Sequence, residues 1–379
     1  MSRKRRVAYI SGTRADLGLM RPTLELIQAS DLLNLLIIST GMHLDPAYGA
    51  TEHEIHDAGL PISARVEVER GIPSGALMAR NIGRMIIGMV EAFEQLHPDL
   101  VLLLGDRGEM MAGALAAIHL NLPIAHVHGG ELSGTVDEPV RHAISKLSHF
   151  HYTATEESRG RLIRMGELPE NIFVTGAPGL DSMKELACRD RGSLFAKFGM
   201  DESRRLALFL YHPVLEQADR AGDSICATIQ SLAEQQVQVL ALKPNADAGS
   251  DNIASVLEGL AKAGKIQLVT HLPRGEYVSL LRVADMLIGN SSSGIIEAAT
   301  FGTPVVNIGS RQNLRQRNAN VIDVVDHPDD IRNGISLVLS QGRFQGTNVY
   351  GDGQARTRIV NSLERLVLGE EVLRKSNAY

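Results

Sequence analysis

The chain has 379 residues, 22% of them charged and 44% hydrophobic, with a formal net charge of −6 at pH 7. A single hydrophobic core stops growing at roughly 250 to 300 residues, so this length predicts two globular domains. The negative balance gives no overall positive field for a nucleic acid, and no apolar stretch approaches the roughly 18 residues that would span a bilayer.

The basic run Arg3–Arg6 precedes only four apolar residues, which is too short a segment for a signal peptide. Cys188 and Cys226 have neither CxxC spacing nor the number needed for a disulfide framework. We therefore expect a protein of the reducing cytoplasm that has neither nucleic acid nor a membrane as its partner.

Along the chain, short Val/Ile/Leu runs alternate with longer segments of helical period, which is typical of βαβ units around buried parallel sheets. In the first half, the predicted strands are Arg6–Ser11, Leu33–Thr40, Ser63–Val68, Leu100–Leu104, Ile124–His128 and His151–Ala154. The helices between them are predicted near Leu17–Ala29, Leu77–Leu96, Glu109–Leu120 and Glu138–Ser148. A second series of strands is predicted at Leu206–Leu210, Val237–Leu242, Ile266–Thr270, Met286–Ile288 and Val305–Ile308. The pattern predicts an α/β fold of two Rossmann-like, doubly wound domains.

The Gly- and Pro-rich segment Thr175–Asp181 lies close to the middle of the chain and has the composition of a connector. We predict an N-terminal domain at residues 1–178, carrying the acid–base residues, and a nucleotide-binding C-terminal domain at 179–354. Residues 355–379 begin with an amphipathic helical pattern and are predicted to pack back on the N-terminal domain.

Ligands of open parallel sheets bind outside the carboxyl ends of the strands. Gly289–Gly294, with the sequence GNSSSG, follows such a strand, and its small residues and hydroxyl donors suit a phosphate. An ordinary helix cap would need only one serine. No lysine follows to complete a P-loop and no GxGxxG is present, so ATP hydrolysis and a nicotinamide cofactor are disfavoured.

Three arginines, Arg14, Arg107 and Arg311, follow apolar strands in the same way. Guanidinium groups match phosphate oxygens bidentately, so converging arginines would hold a diphosphate without a metal ion. An arginine of this kind on its own is more often a surface charge, and it is the shared position after strands that favours phosphate binding. Glu297 follows the serine loop and is either an acceptor for a ribose diol or a partner of the helix dipole.

Acidic and imidazole side chains cluster after two strands of the first half: Asp106, Glu131 and Asp137, with His126, His128 and His142. Cleavage beside a sugar C–H needs one group to take a proton and another to deliver one, and these residue types can do both. Asp106 could alternatively serve only a turn. His126 and His128 point the same way along a strand and could instead form a zinc site.

Together these motifs resemble the hydrolysing UDP-N-acetylglucosamine 2-epimerases. The resemblance runs from Ser11–Asp16 through Gly41–Asp45, Gly105–Arg107, Gly129–Thr135, Arg141–Lys146, His212-Pro213, Gly289–Ser292 and Phe301–Pro304 to Tyr350–Gly353. It implies the GT-B fold, in which two Rossmann-like domains face each other across a cleft. It also implies that no metal or other cofactor is needed and that the chain forms a homodimer or homotetramer.

The resemblance also implies a role for each matching residue. Asp106, Glu131 and Asp137 would be the acid–base set, and Glu297 would hold the ribose. Asn245 and His271 would lie near the nucleotide, and His212 near the phosphate or sugar. The diphosphate would be held by Arg14, Arg107, Ser291, Ser292 and Arg311. Position 128 is a catalytic glutamate in other members but His128 here, so the proton-abstracting group remains open between Glu131 and His128.

The implied reaction is anti elimination of UDP from UDP-N-acetylglucosamine to 2-acetamidoglucal, followed by hydration to N-acetylmannosamine for sialic-acid biosynthesis. The partners would then be the UDP-sugar and UDP. An alternative is the same reaction on UDP-2,4-diacetamido-2,4,6-trideoxyglucose for legionaminic acid. Two further alternatives are a non-catalytic nucleotide-sugar sensor and a zinc hydrolase built on His126 and His128.

Overall fold

The computed structural model describes residues 3–72, 74–133, 137–214, 221–244 and 249–379. Contacts divide the chain into two compact units. The first unit contains the described residues of 1–131 and 136–181 together with 350–379, and the second contains those of 132–135 and 182–349. We call these units the first and the second domain.

The first domain is built on a parallel sheet. Its strands are β1 (Arg5–Ser11), β2 (Leu33–Thr40), β3 (Ile62–Val66), β4 (Leu100–Leu104), β5 (Ile124–Val127), β6 (Phe150–Thr153) and β7 (Ile172–Val174). The helices that alternate with them are α1 (Arg14–Ala29), α2 (Glu52–Asp57), α3 (Gly75–Leu96), α4 (Gly108–His119), α5 (Asp137–Leu147) and α6 (Glu156–Arg164). Single 3₁₀ turns lie at Gly41–Leu44, Pro46–Tyr48, Pro169–Asn171 and Pro178–Leu180. The strand order is β3-β2-β1-β4-β5-β6-β7, and all these pairs are parallel.

The second domain repeats this architecture with a parallel sheet in the order β10-β9-β8-β11-β12-β13. Its strands are β8 (Leu206–Leu210), β9 (Gln238–Leu242), β10 (Gln267–Val269), β11 (Met286–Gly289), β12 (Val305–Ile308) and β13 (Val321–Val324). Its helices are α7 (Met183–Leu186), α8 (Arg191–Lys197), α9 (Ala221–Glu234), α10 (Ser250–Lys262), α11 (Arg274–Val283), α12 (Ser292–Ile296) and α13 (Pro328–Gln341). A 3₁₀ turn spans Ala298–Phe301.

The strands form because apolar runs are buried on both faces by helices. All five residues of β4 are buried, and so are all five of β8. This arrangement confirms the predicted fold class of two Rossmann-like, doubly wound domains. The short strands β7 and β13 were not among the predicted strands.

The strand order places the candidate site in each domain. In the first sheet the order reverses at the neighbouring strands β1 and β4, and in the second at β8 and β11. Loops after strands at such a reversal leave a crevice, which is where open α/β sheets bind ligands. The arginine and Asp106 motifs of the first domain and the serine motif of the second follow these strands.

The segment after residue 349 returns to the first domain through α14 (Ala355–Arg365), followed by α15 (Glu370–Leu373). Ile359 and Leu363 of α14 lie in the hydrophobic core beside β1. Tyr152 donates its hydroxyl to Ser362 Oγ at 3.1 Å. The predicted boundary at residue 178 falls within the turn Pro178–Leu180, which belongs to the first domain. Over the described ranges, the helices lack the combination of length and apolar character that a membrane crossing requires.

Candidate active site

Asp106 lies directly after β4, where Gly105 has a φ of 78°. This left-handed conformation favours glycine and turns the chain away from the strand. The Asp106 carboxylate accepts a hydrogen bond from Nη2 of Arg141, whose side chain is only 2% exposed against 20% for Asp106. One oxygen of Asp106 is therefore held by a buried guanidinium group, while the carboxylate keeps limited access to solvent.

His128 and Glu131 form an imidazole–carboxylate pair after β5. His128 has a φ of 64°, which is rare for a residue with a Cβ and often marks a functional site. Its main-chain N–H donates to the Tyr152 carbonyl at 2.9 Å, and its Nδ1 is hydrogen-bonded to the Glu131 carboxylate. Arg141 Nη1 lies 3.7 Å from Glu131 Oε2. Arg141 thus joins Asp106 and the His128–Glu131 pair into one buried cluster.

Helix α5 positions this cluster through residues spaced four apart. Asp137 is its first residue and is half-buried, whereas Arg141 and Ser145 are buried. Side chains at this spacing share one helix face. Asp137, the remaining predicted acid–base residue, therefore lies on the same helix face as Arg141, one turn earlier.

His126 links α5 to the Asp106 loop. Its Nε2 lies 2.6 Å from the Gly105 carbonyl, which can only accept, so Nε2 donates and Nδ1 accepts from Ser145 Oγ at 3.1 Å. Burial lowers the pKa of His126 to about 3, so the ring is neutral near pH 7. Both nitrogens are engaged within the protein, which argues against the alternative of a zinc pair with His128. No cluster of three or more His, Cys, Asp or Glu side chains suited to a metal ion occurs within the described ranges.

Buried Asp16 holds the loop that follows β1. Its Oδ2 accepts from the main-chain N–H groups of Thr13 at 2.6 Å and Gly12 at 3.0 Å, and its Oδ1 accepts from Ser11 Oγ at 2.5 Å. Ser11 Oγ also lies 2.9 Å from Nε2 of the buried His43. The loop is therefore fixed by an internal polar network.

Arg14 and Arg107 follow the neighbouring strands β1 and β4. Arg14 is the first residue of α1, and burial lowers the pKa of its guanidinium group. Arg107 immediately precedes α4 and donates through Nε to Oε1 of buried Glu109 at 3.0 Å. A Cβ on Gly12 would overlap the Glu109 side chain, so glycine at position 12 lets these two loops approach.

In the second domain, Asn290 anchors the serine loop. Its Oδ1 accepts from the His212 main-chain N–H at 2.7 Å, and its Nδ2 donates to the His212 carbonyl at 2.8 Å. Gly289 has a φ of 135°, and a Cβ there would overlap the Leu210 carbonyl. Ser291 is the N-cap of the short helix α12, and Ser292 is its first residue. The two hydrogen bonds between Asn290 and His212 thus join the loop after β11 to the loop after β8.

Glu297 is the C-cap of the short helix α12. Its carboxylate is 3% exposed and is held by Arg274 and by the hydroxyl of Ser293. Ser293 is in turn hydrogen-bonded to Tyr277, and burial raises the pKa of that phenol well above its usual value. The predicted ribose acceptor is therefore a buried carboxylate fixed by a cation and a hydroxyl.

Arg311, His271 and Asn245 are the other predicted residues of the second domain. Arg311 follows β12 and donates to the Asn290 carbonyl at 3.2 Å. His271 is partly buried in the loop after the edge strand β10. Asn245 lies outside the described residues.

The structure thus brings Asp106, His128 and Glu131 together in the first domain, and His212, Ser291 and Arg311 around Asn290 in the second. Sequence reasoning did not single out a role for Arg141, Arg274 or Tyr277. Arg141 lies one helical turn after Asp137, and this spacing could have suggested that the two side chains share a site. Most arginines at such positions are solvated, so the spacing alone did not identify it.

The family pattern described as UDP-N-acetylglucosamine 2-epimerase matches residues 25–364. A Legionella pneumophila UDP-N,N'-diacetylbacillosamine 2-epimerase (hydrolyzing) is 45% identical over 99% of this chain and 100% of the relative. A Neisseria meningitidis UDP-N-acetylglucosamine 2-epimerase is 32% identical over 93% of this chain and 92% of the relative. In fold, the chain is similar to the crystal structure of UDP-GlcNAc 2-epimerase from Neisseria meningitidis bound to UDP-GlcNAc. That similarity has a TM-score of 0.81 and 18% identity, and it covers 94% of this chain and 99% of the other.

These similarities show that the chain belongs to the UDP-N-acetylglucosamine 2-epimerase family. The resemblance drawn from its motifs is thereby confirmed. The protein is an enzyme of the hydrolysing UDP-sugar 2-epimerase class.

Proposed function

We propose that the protein hydrolyses and epimerises UDP-N,N'-diacetylbacillosamine, which is UDP-2,4-diacetamido-2,4,6-trideoxyglucose. The products would be UDP and the corresponding 2,4-diacetamido-2,4,6-trideoxymannose, a precursor suited to legionaminic acid. The Legionella relative named for this substrate matches the whole chain at 45% identity, whereas the Neisseria relative named for UDP-N-acetylglucosamine matches at 32%. This difference favours the alternative substrate of the sequence analysis over UDP-N-acetylglucosamine and a sialic-acid pathway.

The observation that carries the chemical proposal is the cluster in which Arg141 contacts both Asp106 and Glu131 while Glu131 holds His128. Inversion at C2 through a glycal needs one group to remove the C2 proton and another to return a proton to C2. We assign these roles to Asp106 and to the His128–Glu131 pair. Glu131 fixes Nδ1 of His128, which makes Nε2 the nitrogen that exchanges the proton.

In the first half-reaction, the base removes the C2 proton, the C1–C2 double bond forms, and the C1–O bond breaks so that UDP leaves with the electron pair. In the second, the acid gives a proton to C2 while the oxygen of water bonds to C1, and the proton that water loses restores the acid. The proton taken from C2 is released to solvent, which regenerates the base. The sum is hydrolysis of the UDP-sugar with inversion at C2. Asp137 lies one helical turn before Arg141 and completes the proposed acid–base set.

The arginines and serine-loop hydroxyls predicted from the sequence would stabilise the charge on the leaving diphosphate. In the first domain these are Arg14 and Arg107. In the second they are Ser291, Ser292 and Arg311, with His212 beside them. Glu297 would accept hydrogen bonds from the ribose, with His271 and Asn245 near the nucleotide. A homodimer or homotetramer and a cytoplasmic location remain predictions.

The test is the release of UDP from each of the two substrates, measured as kcat/KM on the purified protein with the Asp106→Asn variant as the matched control. A site that accommodates a 4-acetamido and a 6-methyl group should prefer the trideoxy substrate by roughly tenfold or more. Asp106→Asn should lose nearly all turnover of both. A higher kcat/KM for UDP-N-acetylglucosamine would contradict the proposed substrate, and full activity in Asp106→Asn would contradict the assigned chemistry.

A further inference from the structure

Lys375 lies in the segment that follows α15, and its side chain is half-buried within the first domain. Its ammonium group donates to the Ser145 carbonyl at 3.0 Å and to the Ser148 carbonyl, and it pairs with Glu167 Oε2 at 2.7 Å. Ser145 and Ser148 lie at the carboxyl end of α5, where a cation stabilises the free carbonyls and the helix dipole. Lys375 therefore caps the helix that carries Arg141.

A polar network around buried Glu167 holds Lys375 in this position. Glu167 also bonds His151 Nε2 at 2.9 Å and Lys146 Nζ at 2.8 Å, and these donors lower the pKa of its carboxyl to about 2 despite its burial. Lys146 reaches Asn377 Oδ1 at 2.8 Å, and the Ala378 main-chain N–H donates to the Gly166 carbonyl at 2.9 Å. The segment around Lys375 is thus attached at several points.

From Lys375 the contacts continue to the proposed acid–base residue. Lys375 binds the carbonyl of Ser145, and the Ser145 hydroxyl donates to His126. His126 donates to the carbonyl of Gly105, which directly precedes Asp106. The same helix holds Asp106 by a second route through Arg141.

We propose that Lys375 is a positioning residue that keeps α5, and through it Asp106, in the geometry the reaction requires. This inference rests on the proposed function in that it assigns Asp106 to proton transfer. The ammonium group acts at the far end of the helix and does not touch the substrate. Its loss should therefore lower turnover more than substrate binding.

Lys375→Met tests this inference because it removes the ammonium group and keeps the aliphatic stem. The matched control is Arg374→Met, which removes a charge from the adjacent residue. The Arg374 side chain is 80% exposed, and its Nη2 lies 3.9 Å from Oε2 of exposed Glu370. Each variant is assayed for UDP release well below its own melting temperature, with kcat corrected for the folded fraction.

A small displacement of an acid–base group costs roughly ten- to hundredfold in rate, so kcat should fall by about that factor in Lys375→Met, with KM within about twofold. Arg374→Met should match the wild type. Lys375→Gln also removes the charge and decides the matter if Lys375→Met does not fold. A wild-type kcat in the folded Lys375 variant would overturn the proposal. Ser145→Ala, which removes only the hydroxyl contact to His126, should lower kcat in the same direction because it interrupts one of the two routes to Asp106.

Amide hydrogen exchange provides a readout that does not depend on the reaction. Lys375→Met should speed exchange in α5 and in the loop around Asp106, and Arg374→Met should not. Unchanged exchange in both regions would contradict the positioning role. If the wild type released no UDP from either sugar, the proposed function would fail, while the exchange data would still decide whether Lys375 holds this loop.

Discussion

Replacement of Arg141 by methionine perturbs the cluster at its centre. The arginine is 2% exposed and is the cation that contacts both Asp106 and Glu131. Removing one partner of a buried ion pair costs roughly 3–5 kcal/mol because the remaining charge is left without compensation. Asp106 is 20% exposed, so water offsets part of this cost and we expect a loss near the lower end of that range.

The loss should appear in two measurements. The urea midpoint of the first domain, followed by circular dichroism, should fall in Arg141→Met. Turnover should fall by roughly a hundredfold because Asp106 is no longer held in place. Arg141→Lys keeps the charge but cannot make the two-sided contact of the guanidinium group, so both effects should be intermediate.

A double-mutant cycle with Asp106→Asn separates the contact from general destabilisation. If Arg141 acts on Asp106, the double variant should be less destabilised than the sum of the two single variants, by about 1 kcal/mol or more. A wild-type urea midpoint and kcat in Arg141→Met would show that Arg141 does not hold Asp106. Additive free energies of unfolding for the two substitutions would show the same.

Three further predictions follow from other contacts of the site. Gly12→Ala forces the Glu109 side chain to move, so its kcat/KM should drop by about tenfold. Its free energy of unfolding in urea should fall by the roughly 1–3 kcal/mol typical of overpacking. Gly83→Ala, where a Cβ meets nothing within 4 Å, is the control, and equal behaviour of the two would contradict this account. The unfolded chain protonates His126 near pH 6.5 whereas the native pKa is about 3, so stability falls on acidification through this window, by about 2 kcal/mol at pH 5. Urea midpoints between pH 7 and 4 should fall less steeply in His126→Asn than in the wild type, and an unchanged slope would count against a buried neutral ring. Glu297→Gln keeps the shape of the side chain but loses charge-assisted acceptance from the ribose, so KM should rise about tenfold with kcat nearly unchanged, and a wild-type KM would argue against ribose binding.

The two sheets were predictable because buried parallel strands are nearly continuous apolar runs, as in Leu100–Leu104 and Leu206–Leu210. The strands β7 and β13 were not predicted. β7 has only three residues, and β13 is half-exposed, so neither gives a long apolar signal. Such short strands are defined by pairing with a neighbour that lies far away in the sequence.

The candidate acid–base residues were also predictable from their places after strands, but their partners were not. Arg141 has the local sequence of a solvated helical arginine, and only packing reveals that it is buried between two carboxylates. His126 looked suitable for proton transfer or for zinc until the structure showed both ring nitrogens bonded to Gly105 and Ser145. These roles depend on contacts between elements, which local sequence patterns do not encode.

We propose that the enzyme breaks the C2–H bond of a UDP-sugar and returns a proton to C2 after UDP has left. NMR of the products formed from UDP-2,4-diacetamido-2,4,6-trideoxyglucose in deuterated water tests this chemistry. Elimination followed by hydration should give free UDP and a free sugar of the manno configuration that carries deuterium at C2. A free sugar with retained gluco configuration and hydrogen at C2 would rule out this reaction.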